Sequence, residues 1–189
     1  MVRVIIVAAG RGSRFGSDLP KQYCLLSGKP VLMHTVEAFR RAVPDAEIIL
    51  VISKEMEELW ADLCREHNFA SPRIVYGGAT RWESVKLAVE AINPGDGDIV
   101  MVHDGARPIV SADMVSRILA EMERSSAAIP VVPVTDSLRI VMDGGSQAID
   151  RAPLRAVQTP QAFTGAAIKQ MYALPYSTMF TDDASVYEA

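Results

Sequence analysis

The sequence predicts an α/β fold, a Rossmann-like, mostly parallel, twisted sheet with helices on both faces and a projecting two-stranded β-arm. Two observations support this prediction. Up to about residue 134, short runs rich in β-branched residues alternate with longer amphipathic runs, which is typical of parallel strands joined by crossover helices. From residue 135 to about residue 158, short β-prone runs around a glycine turn replace this alternation, which indicates the arm. At 189 residues, the chain is expected to form one domain.

The elements of the sheet are predicted in order along the chain. The first strand covers residues 3–8, in which the apolar run Val4-Ile5-Ile6-Val7 leads into small residues. The first helix covers residues 31–41, because apolar side chains recur there at helical spacing. The later elements are strand 47–52, helix 54–68, strand 73–76, helix 81–91, strand 99–103, helix 112–125 and strand 127–134. Pro130 and Pro133 place the last of these strands at an edge or in an irregular position.

The arm is predicted between residues 135 and 158. Residues 137–142 form one strand, Asp143-Gly144-Gly145 the turn, and residues 156–158 a short return strand. An isolated hairpin is only marginally stable in water. The arm is therefore expected to pack against another surface, and a second copy of the chain is the natural candidate.

Composition limits the range of functions. The formal net charge is -4, which argues against broad nucleic-acid binding, because that function favours a basic face. A local basic cluster can still bind a small anion. No apolar run approaches the roughly 20 residues needed to span a bilayer, and the first residues lack the pattern of a signal peptide. Cys24 and Cys64 have no metal-ligand spacing and do not indicate disulfides. The protein is therefore expected to be cytoplasmic, with no membrane or nucleic-acid partner.

A loop of small residues follows the first strand. Residues 8–16 read Ala-Ala-Gly-Arg-Gly-Ser-Arg-Phe-Gly, and the basic side chains of the loop region include Arg14 and Lys21. Small residues let the backbone approach phosphate groups, and cations offset their charge, so the pattern is typical of a phosphate-handling loop. It fits neither of two common glycine motifs. The dinucleotide motif G-x-G-x-x-G is one residue shorter than the glycine spacing found here, and no Walker loop is present.

Two further loops are expected at the same edge of the sheet, because ligands bind beyond the carboxyl ends of parallel strands. Gly77-Gly78 leads into the third helix, where Ser84 is in position to hydrogen-bond a nucleobase. Asp104 directly follows the fourth strand, a common place for a carboxylate that binds Mg²⁺ together with substrate phosphates. Each segment also has a plainer interpretation: Gly77-Gly78 as an ordinary helix entry, and Asp104 as a turn cap or a partner of Arg107.

The three loops together favour nucleotidyl transfer. In that reaction a phosphate oxygen of one substrate attacks the α-phosphorus of a nucleoside triphosphate, and pyrophosphate leaves. Negative charge accumulates on the α-phosphoryl oxygens in the transition state, so catalysis requires cations at that point and a metal on the triphosphate. Arg14 and Lys21 are the candidate cations, whereas the plainer interpretation is that both are solvated surface residues.

In order and spacing, these segments resemble the cytidylyltransferase branch of the nucleotidyltransferases, and specifically the 2-C-methyl-D-erythritol 4-phosphate cytidylyltransferase family of the non-mevalonate isoprenoid pathway. The resemblance covers nearly the whole chain. The segments that carry it are Ala8-Ala9-Gly10-x-Gly12-x-Arg14, Pro20-Lys21-Gln22-Tyr23, Gly77-Gly78-x-x-Arg81-x-x-Ser84-Val85, His103-Asp104-Gly105-Ala106-Arg107-Pro108, Asp150-Arg151, Thr159-Pro160-Gln161 and Thr181-Asp182-Asp183-Ala184-Ser185. The first segment is shared with sugar-phosphate nucleotidylyltransferases, whereas the combination is far more specific.

The resemblance implies transfer of a cytidylyl group from CTP to 2-C-methyl-D-erythritol 4-phosphate, with Mg²⁺ or another divalent cation. It implies catalytic roles for Arg14, Lys21 and Arg151. The implied nucleotide-binding residues are Ala8, Ala9, Gly10, Gly12, Ser13, Arg14, Lys21, Gly78, Ser84 and Asp104, of which Asp104 also binds the metal. The implied contacts of the acceptor phosphate substrate are Arg107, Ser137, Arg151 and Thr159. The family forms a homodimer through the arm, so Ser137 and Arg151 are expected to complete the site of the partner.

Two features depart from the family pattern. Ala79 stands where some relatives have an acidic residue. The family also continues past the position of Ala189 with a strand that contains Asn-Ile-Lys and with a last helix, so these elements are expected to be missing here. The alternatives that remain open are a ribitol-5-phosphate cytidylyltransferase, which performs the same chemistry on another polyol, and a non-catalytic nucleotide-binding module. A dinucleotide-dependent oxidoreductase is disfavoured by the glycine spacing.

Overall fold

A computed structural model describes residues 1–10 and 19–189 of the chain. Residues 11–18 lie outside the described residues. They include Gly12, Ser13 and Arg14, so the predictions made for these three residues stay predictions. Within the described residues, the predicted fold class is confirmed: a mostly parallel sheet has helices on both faces, and a two-stranded antiparallel hairpin forms a separate sheet.

The elements alternate along the chain largely as predicted. The strands are β1 (Val2–Val7), β2 (Leu25–Leu26), β3 (Lys29–Pro30), β4 (Glu47–Ile52), β5 (Arg73–Tyr76), β6 (Ile99–Asp104), β7 (Ala127–Ala128), β8 (Val131–Pro133), β9 (Arg139–Met142), β10 (Gly145–Ala148), β11 (Arg155–Val157) and β12 (Gln161–Thr164). The α-helices are α1 (Val31–Ala42), α2 (Glu57–Glu66), α3 (Arg81–Ile92), α4 (Ala112–Met122), α5 (Gly165–Tyr172) and α6 (Asp183–Tyr187). Among the described residues, Lys21–Tyr23 and Lys54–Met56 form short 3₁₀ turns.

The described strands of the main sheet lie in the order β5–β4–β1–β6–β12–β7. The strand β1 pairs in parallel with β4 and β6, and β5 extends this parallel set at one edge. The strand β12 is antiparallel to both β6 and β7. Because β12 runs in the reverse direction, the segment before it reaches the same edge of the sheet as the carboxyl ends of β1, β4, β5 and β6. That edge is where ligands of such sheets bind.

Apolar side chains form a core on each face of the sheet. Along β1, Val4 and Ile6 belong to one core and Ile5 to the other, the alternation expected of a strand that is buried on both faces. The first core packs against α1, α2 and α4, and the second against α3, α5 and α6. The strand that leads into the predicted phosphate loop is therefore fixed from both sides.

The prediction of one strand over residues 127–134 is wrong. The segment is divided into β7, which belongs to the main sheet, and β8, which pairs with β11 in a small sheet of its own. The physical reason is Pro130, which lies between the two pieces and has no N–H group to continue a ladder. The chain leaves the main sheet at this proline.

The arm is a hairpin of β9 and β10. Its two-residue turn contains Gly144 at φ 83°, a backbone conformation that favours glycine. The return strand is therefore β10, and the prediction that residues 156–158 return is wrong. Most of that segment belongs to β11 and pairs with β8 at the base of the arm.

Several short elements have no counterpart in the prediction, namely β2, β3, β12, α5 and α6. The strands β2 and β3 have two residues each, too few to show a period. Thr164 and Asp182 precede α5 and α6 as N-cap residues, and their side chains accept hydrogen bonds from the first turn of each helix. Such capping residues are a signal that the sequence contains. In the described part of the chain, none of the helices has the length and apolar character required to cross a membrane.

Candidate active site

A cavity of about 1320 Å³ opens where β1, β4, β5 and β6 end. It is lined by the loops that follow these four strands, by the segment that precedes β12, and by Thr181 and Asp182 just before α6. The predicted site residues that line it are Ala8, Ala9, Gly10, Lys21, Gly78, Ser84, Asp104, Arg107 and Thr159. The structure therefore brings residues predicted to bind the nucleotide and residues predicted to bind the acceptor into one cavity.

The two predicted residues of the arm are placed elsewhere. Ser137 and Arg151 are exposed and do not line this cavity. Within the arm, the Arg151 guanidinium donates to the backbone oxygen of Thr135. Their predicted role in the site of a second subunit stays a prediction.

A buried amide holds the turn that carries Lys21 against the end of β1. The Gln22 side chain is buried, and its Nε2 donates to the backbone oxygens of Ala8, at 2.7 Å, and Gly10, at 2.8 Å. Lys21 itself is exposed to the cavity. Since both oxygens belong to the predicted phosphate loop, Gln22 fixes the start of the Lys21 side chain relative to that loop.

The loop after β5 approaches the loop after β1 closely because residue 77 is glycine. A Cβ atom on Gly77 would lie 2.5 Å from the Cβ of Ala9 and 2.7 Å from Oγ of Ser84. The buried Ser84 hydroxyl donates to the backbone oxygen of Thr80 at 2.9 Å and accepts from the N–H of Gly78 at 3.2 Å. It therefore shapes the glycine turn, and what it still offers to a nucleobase is a lone pair that accepts a hydrogen bond.

Ala79 lies between this turn and the first residue of α3. Its backbone N–H donates to Oε2 of Glu83 at 2.7 Å, while Thr80 caps α3 by accepting from the N–H of Glu83 at 3.0 Å. Glu83 thus holds the turn from the side of the helix, in a variant of the capping box. Position 79 consequently presents neither an acidic side chain nor a free backbone donor to the cavity.

Asp104 lies between two arginines that are held differently. Its Oδ2 accepts from Nε of Arg107 at 2.9 Å, and its Oδ1 faces Nε of Arg81 at 3.6 Å. The Arg107 side chain is 47% exposed, and its Nη1 donates to Oε1 of Gln158 at 2.6 Å. The plainer interpretation of Asp104, a pair with Arg107, is therefore present in the structure together with exposure to the cavity.

Arg81 is anchored on its other side by Asp183, whose side chain is 0% exposed. Nη1 and Nη2 of Arg81 donate to the two carboxylate oxygens at 3.0 and 2.6 Å, and the Tyr172 hydroxyl donates to Oδ1 at 2.5 Å. Burial acts to lower the pKa of Arg81, but the Asp183 carboxylate outweighs it and raises that pKa above its ordinary value. Burial and the same carboxylate raise the pKa of Tyr172. Both side chains therefore keep the protons that they donate.

His103 lies beneath the cavity and connects two of its walls. Its Nε2 is 2.9 Å from the backbone oxygen of Arg107, and its Nδ1 is 2.9 Å from Oγ1 of Thr159. Burial lowers the pKa of His103 to about 4, so the ring is neutral near pH 7. Because a carbonyl only accepts, the proton is on Nε2 and the Thr159 hydroxyl donates to Nδ1. Toward the cavity, Thr159 therefore offers an acceptor.

The possible metal ligands in the cavity suit a metal ion that is bound mainly by the phosphates of a nucleotide. Among the described residues, no group of three or more histidine, cysteine, aspartate or glutamate side chains could hold a metal ion. Asp104, however, is a carboxylate that lines the cavity. Mg²⁺ commonly takes one or two protein carboxylates and completes its shell with substrate phosphates and water, so Asp104 fits this kind of site.

Several residues that shape the site had no role assigned from the sequence: Gln22, Thr35, Arg81, Gln161 and Asp183. All except Thr35 lie in segments that carry the family resemblance. Their place in these segments was the signal in the sequence that could have indicated a role in the site. Thr35 in α1 donates from its hydroxyl to the backbone oxygen of Gly105 at 2.9 Å. Nothing in the helical pattern of α1 distinguishes it from a residue that only packs.

The sheet is mostly parallel, and one cavity at its carboxyl edge contains glycine turns, cationic side chains and a carboxylate. This combination is typical of a nucleotide-binding α/β enzyme of the nucleotidyltransferase class. The family model described as IspD, 2-C-methyl-D-erythritol 4-phosphate cytidylyltransferase, matches residues 2–189. The chain belongs to the 2-C-methyl-D-erythritol 4-phosphate cytidylyltransferase family.

Individual relatives agree with this family over nearly the whole chain. The 2-C-methyl-D-erythritol 4-phosphate cytidylyltransferase of Bacteroides thetaiotaomicron is 47% identical over 188 residues, which cover 98% of this chain and 84% of the relative. That of Porphyromonas gingivalis is 44% identical over 185 residues, with 97% and 82% covered. The family predicted from the sequence is therefore confirmed.

Solved structures agree as well. The crystal structure of 4-diphosphocytidyl-2C-methyl-D-erythritol synthase from Anaerococcus prevotii superposes with a TM-score of 0.80 at 30% sequence identity. The superposition covers 100% of this chain and 81% of the Anaerococcus chain. The crystal structure of the Francisella tularensis 2-C-methyl-D-erythritol 4-phosphate cytidylyltransferase superposes with a TM-score of 0.79 at 30% identity, over 99% of this chain and 85% of the Francisella chain. The fold and the family thus point to the same group of enzymes.

Proposed function

We propose that the cavity at the carboxyl edge of the sheet is where CTP and 2-C-methyl-D-erythritol 4-phosphate react. As a cytidylyltransferase of this family, the chain transfers the cytidylyl group of CTP to 2-C-methyl-D-erythritol 4-phosphate, giving CDP-methylerythritol and pyrophosphate in the non-mevalonate route to isoprenoid precursors. The observation that supports the location is the convergence of three predicted loops on one cavity.

The reaction joins an oxygen of the acceptor phosphate to the α-phosphorus of CTP and breaks the bond from that phosphorus to pyrophosphate. The acceptor phosphate is already an anion, so no general base is required. Negative charge grows on the α-phosphoryl oxygens, and a cation that is fixed beforehand stabilises it most effectively. Lys21 suits this role because Gln22 holds its turn against the phosphate loop. Arg14, which lies outside the described residues, is proposed as the second cation.

The nucleotide is proposed to lie against the loops that follow β1, β5 and β6. The backbone at residues 8–10 and Gly78 would contact the cytosine, because Gly77 brings these two loops together and leaves backbone facing the cavity. Ser84 would contribute its acceptor lone pair. Asp104 would hold Mg²⁺, and the cation would neutralise and align the phosphates of CTP.

The acceptor phosphate substrate is proposed to bind between Arg107 and Thr159. Arg107 is half exposed, and the contacts of its side chain with Asp104 and Gln158 are surface contacts. Such contacts contribute little to stability, so the guanidinium is able to turn and form paired hydrogen bonds with a phosphate. The acceptor lone pair of Thr159 suits a hydroxyl group of the polyol rather than a phosphate oxygen.

The active form is proposed to be a homodimer in which the arm carries Ser137 and Arg151 to the other subunit. Every residue of β9 and β10 is exposed. The apolar side chain of Val141 is 83% exposed. A hairpin of two strands is marginal on its own, so cover by a second copy of the chain would stabilise it.

Pyrophosphate release is the direct test of the activity at this site. The full chain with CTP, MgCl₂ and 2-C-methyl-D-erythritol 4-phosphate is expected to release pyrophosphate and form CDP-methylerythritol, measured by a coupled assay and chromatography. Excess EDTA is expected to stop the release and added MgCl₂ to restore it, because the metal offsets the charge of the phosphates. CTP binding without release would favour the non-catalytic module, and a higher kcat/KM with ribitol 5-phosphate would favour the other polyol.

Subunit mixing tests the proposed role of the arm. Lys21→Ala and Arg151→Ala subunits are expected to be nearly inactive separately. After co-expression, a mixed dimer has one cavity that combines an intact Lys21 with an intact Arg151 from the other subunit. About a quarter of wild-type activity is expected, because half of the dimers are mixed and half of their sites are complete. Recovery that does not exceed the sum of the two separate variants would place Arg151 in its own subunit's site or outside the reaction.

A further inference from the structure

The contacts around Asp104 are asymmetric. Arg107 reaches Oδ2 from the exposed side of the cavity, whereas Arg81 faces Oδ1 from α3. Arg81 uses separate parts of its guanidinium for two carboxylates, Nη1 and Nη2 for Asp183 and Nε for Asp104. Because a guanidinium is planar and rigid, the buried carboxylate of Asp183 fixes the orientation of Arg81, and Arg81 in turn constrains the carboxylate of Asp104 at the cavity.

We propose that Asp183 is a positioning residue of the metal-nucleotide site, which acts through Arg81 to fix the Oδ1 side of Asp104. Oδ2 would become available to the Mg²⁺ bound to CTP when Arg107 turns from Asp104 to the acceptor phosphate. This inference rests on the proposed function of the cavity and deepens it. Asp183 has no exposed surface, so it cannot itself touch a ligand. Of the two side chains that donate to its carboxylate, Arg81 lines the cavity and Tyr172 does not.

The surroundings of Asp183 support a role beyond packing. It is the first residue of α6, and its carboxylate accepts two hydrogen bonds from Arg81 and one from Tyr172. A buried ion pair is often no more stabilising than apolar side chains of similar volume. The carboxylate of Asp183 does balance the charge of Arg81 and fix its guanidinium at the wall of the cavity, where the Arg81 side chain is still 32% exposed.

Calorimetric titration of CTP into the full chain, once in MgCl₂ and once in EDTA, tests this proposal. Asp183→Asn keeps the size of the side chain and removes its charge. It is expected to weaken CTP binding in MgCl₂ by about 10- to 100-fold, the range seen when the support of a metal ligand is removed. In EDTA, CTP is expected to bind the variant and the wild type alike, because Asp104 then has no cation to hold.

A matched control separates positioning from loss of stability. Ile168 lies on α5 in the same core as α3 and α6, is 0% exposed and does not line the cavity. Ile168→Ala is expected to lower the melting temperature by leaving a void in the core and to bind CTP in MgCl₂ as the wild type does. If Asp183→Asn does not fold, Arg81→Lys replaces it. Its ammonium keeps a charge beside Asp183 but lacks the fork that also reaches Asp104, so the same Mg²⁺-dependent loss is expected.

Three results would overturn the proposal. One is wild-type affinity for CTP in MgCl₂ in the folded Asp183→Asn or Arg81→Lys variant. Another is an equal loss in MgCl₂ and in EDTA, which indicates a general distortion of the cavity. The third is an equal loss in Ile168→Ala. Pyrophosphate release by the wild type is measured in parallel: its absence rejects the proposed function, whereas its presence with unchanged affinity in the variant rejects only the role of Asp183.

Discussion

Replacement of Lys21 by alanine is expected to lower the turnover number for pyrophosphate release by about 100- to 1000-fold, the loss typical of removing one group that stabilises transition-state charge. The ammonium acts on charge that develops as the α-phosphorus accepts a fifth oxygen, so kcat should fall more than KM for CTP rises. The contacts of Gln22 with Ala8 and Gly10 hold the turn independently of the Lys21 side chain. The truncation should therefore leave the loop in place.

Steady-state kinetics with CTP and the acceptor varied separately measure this effect. Lys169→Ala is the matched control, because Lys169 pairs with Asp96 in the loop before β6, at the opposite edge of the sheet. That variant should keep wild-type kinetics. A turnover number near that of the wild type in Lys21→Ala would remove Lys21 from the catalytic residues and leave Arg14 as the candidate cation.

Gln22→Glu is expected to reduce both stability and activity. The buried amide of Gln22 donates to two carbonyl oxygens, and a carboxylate at the same place has no proton to donate and faces both oxygens. An unpaired charge of this kind destabilises the fold by about 3 kcal/mol. Because the same contacts position the turn of Lys21, the turnover number should fall together with the free energy of unfolding.

Urea unfolding at several pH values measures the stability of this variant. Burial and the two carbonyl oxygens raise the pKa of the new carboxyl group, so above about pH 4.5 the folded state binds more protons than the unfolded state. The loss of stability relative to wild type should therefore grow as the pH rises and shrink toward pH 4.5. Gln170→Glu makes the same change at an exposed position of α5 and should match the wild type. A Gln22→Glu variant with wild-type stability at pH 8 would contradict the role given to Gln22.

Local pattern was sufficient to predict much of this enzyme. The fold class follows from the alternation of apolar runs, since the period of a strand or helix is visible within about ten residues. The loops at residues 8–10, Gly78 and Asp104 were placed at one edge by the rule that ligands bind beyond the carboxyl ends of parallel strands, and they line one cavity. The order of these loops was specific enough to indicate the family, which the relatives confirm.

The prediction was less accurate where a contact partner decides the structure. Residues 127–134 have the composition of one strand, but Pro130 ends the pairing of β7, and β8 pairs with β11. The pairing of β8 depends on residues distant in the sequence, and a local pattern does not contain them. The return strand of the arm is a different case: the turn at Asp143-Gly144 is a local signal that the segment directly after it folds back, and the prediction of residues 156–158 missed it.

The sequence alone predicts the strands β1, β4, β5 and β6, the helices α1 to α4, the family, and the side-chain types that transfer of a nucleotidyl group requires. The folded chain decides how those side chains are held. Asp183 meets Arg81 across 102 positions of sequence, and the Thr159 hydroxyl donates to His103 across 56 positions. Hydrogen-bond direction and burial depend on neighbours that only tertiary packing brings together. For this reason the residues that carry the chemistry can be predicted from their motifs, whereas the contacts through which other residues position them are visible only in the structure.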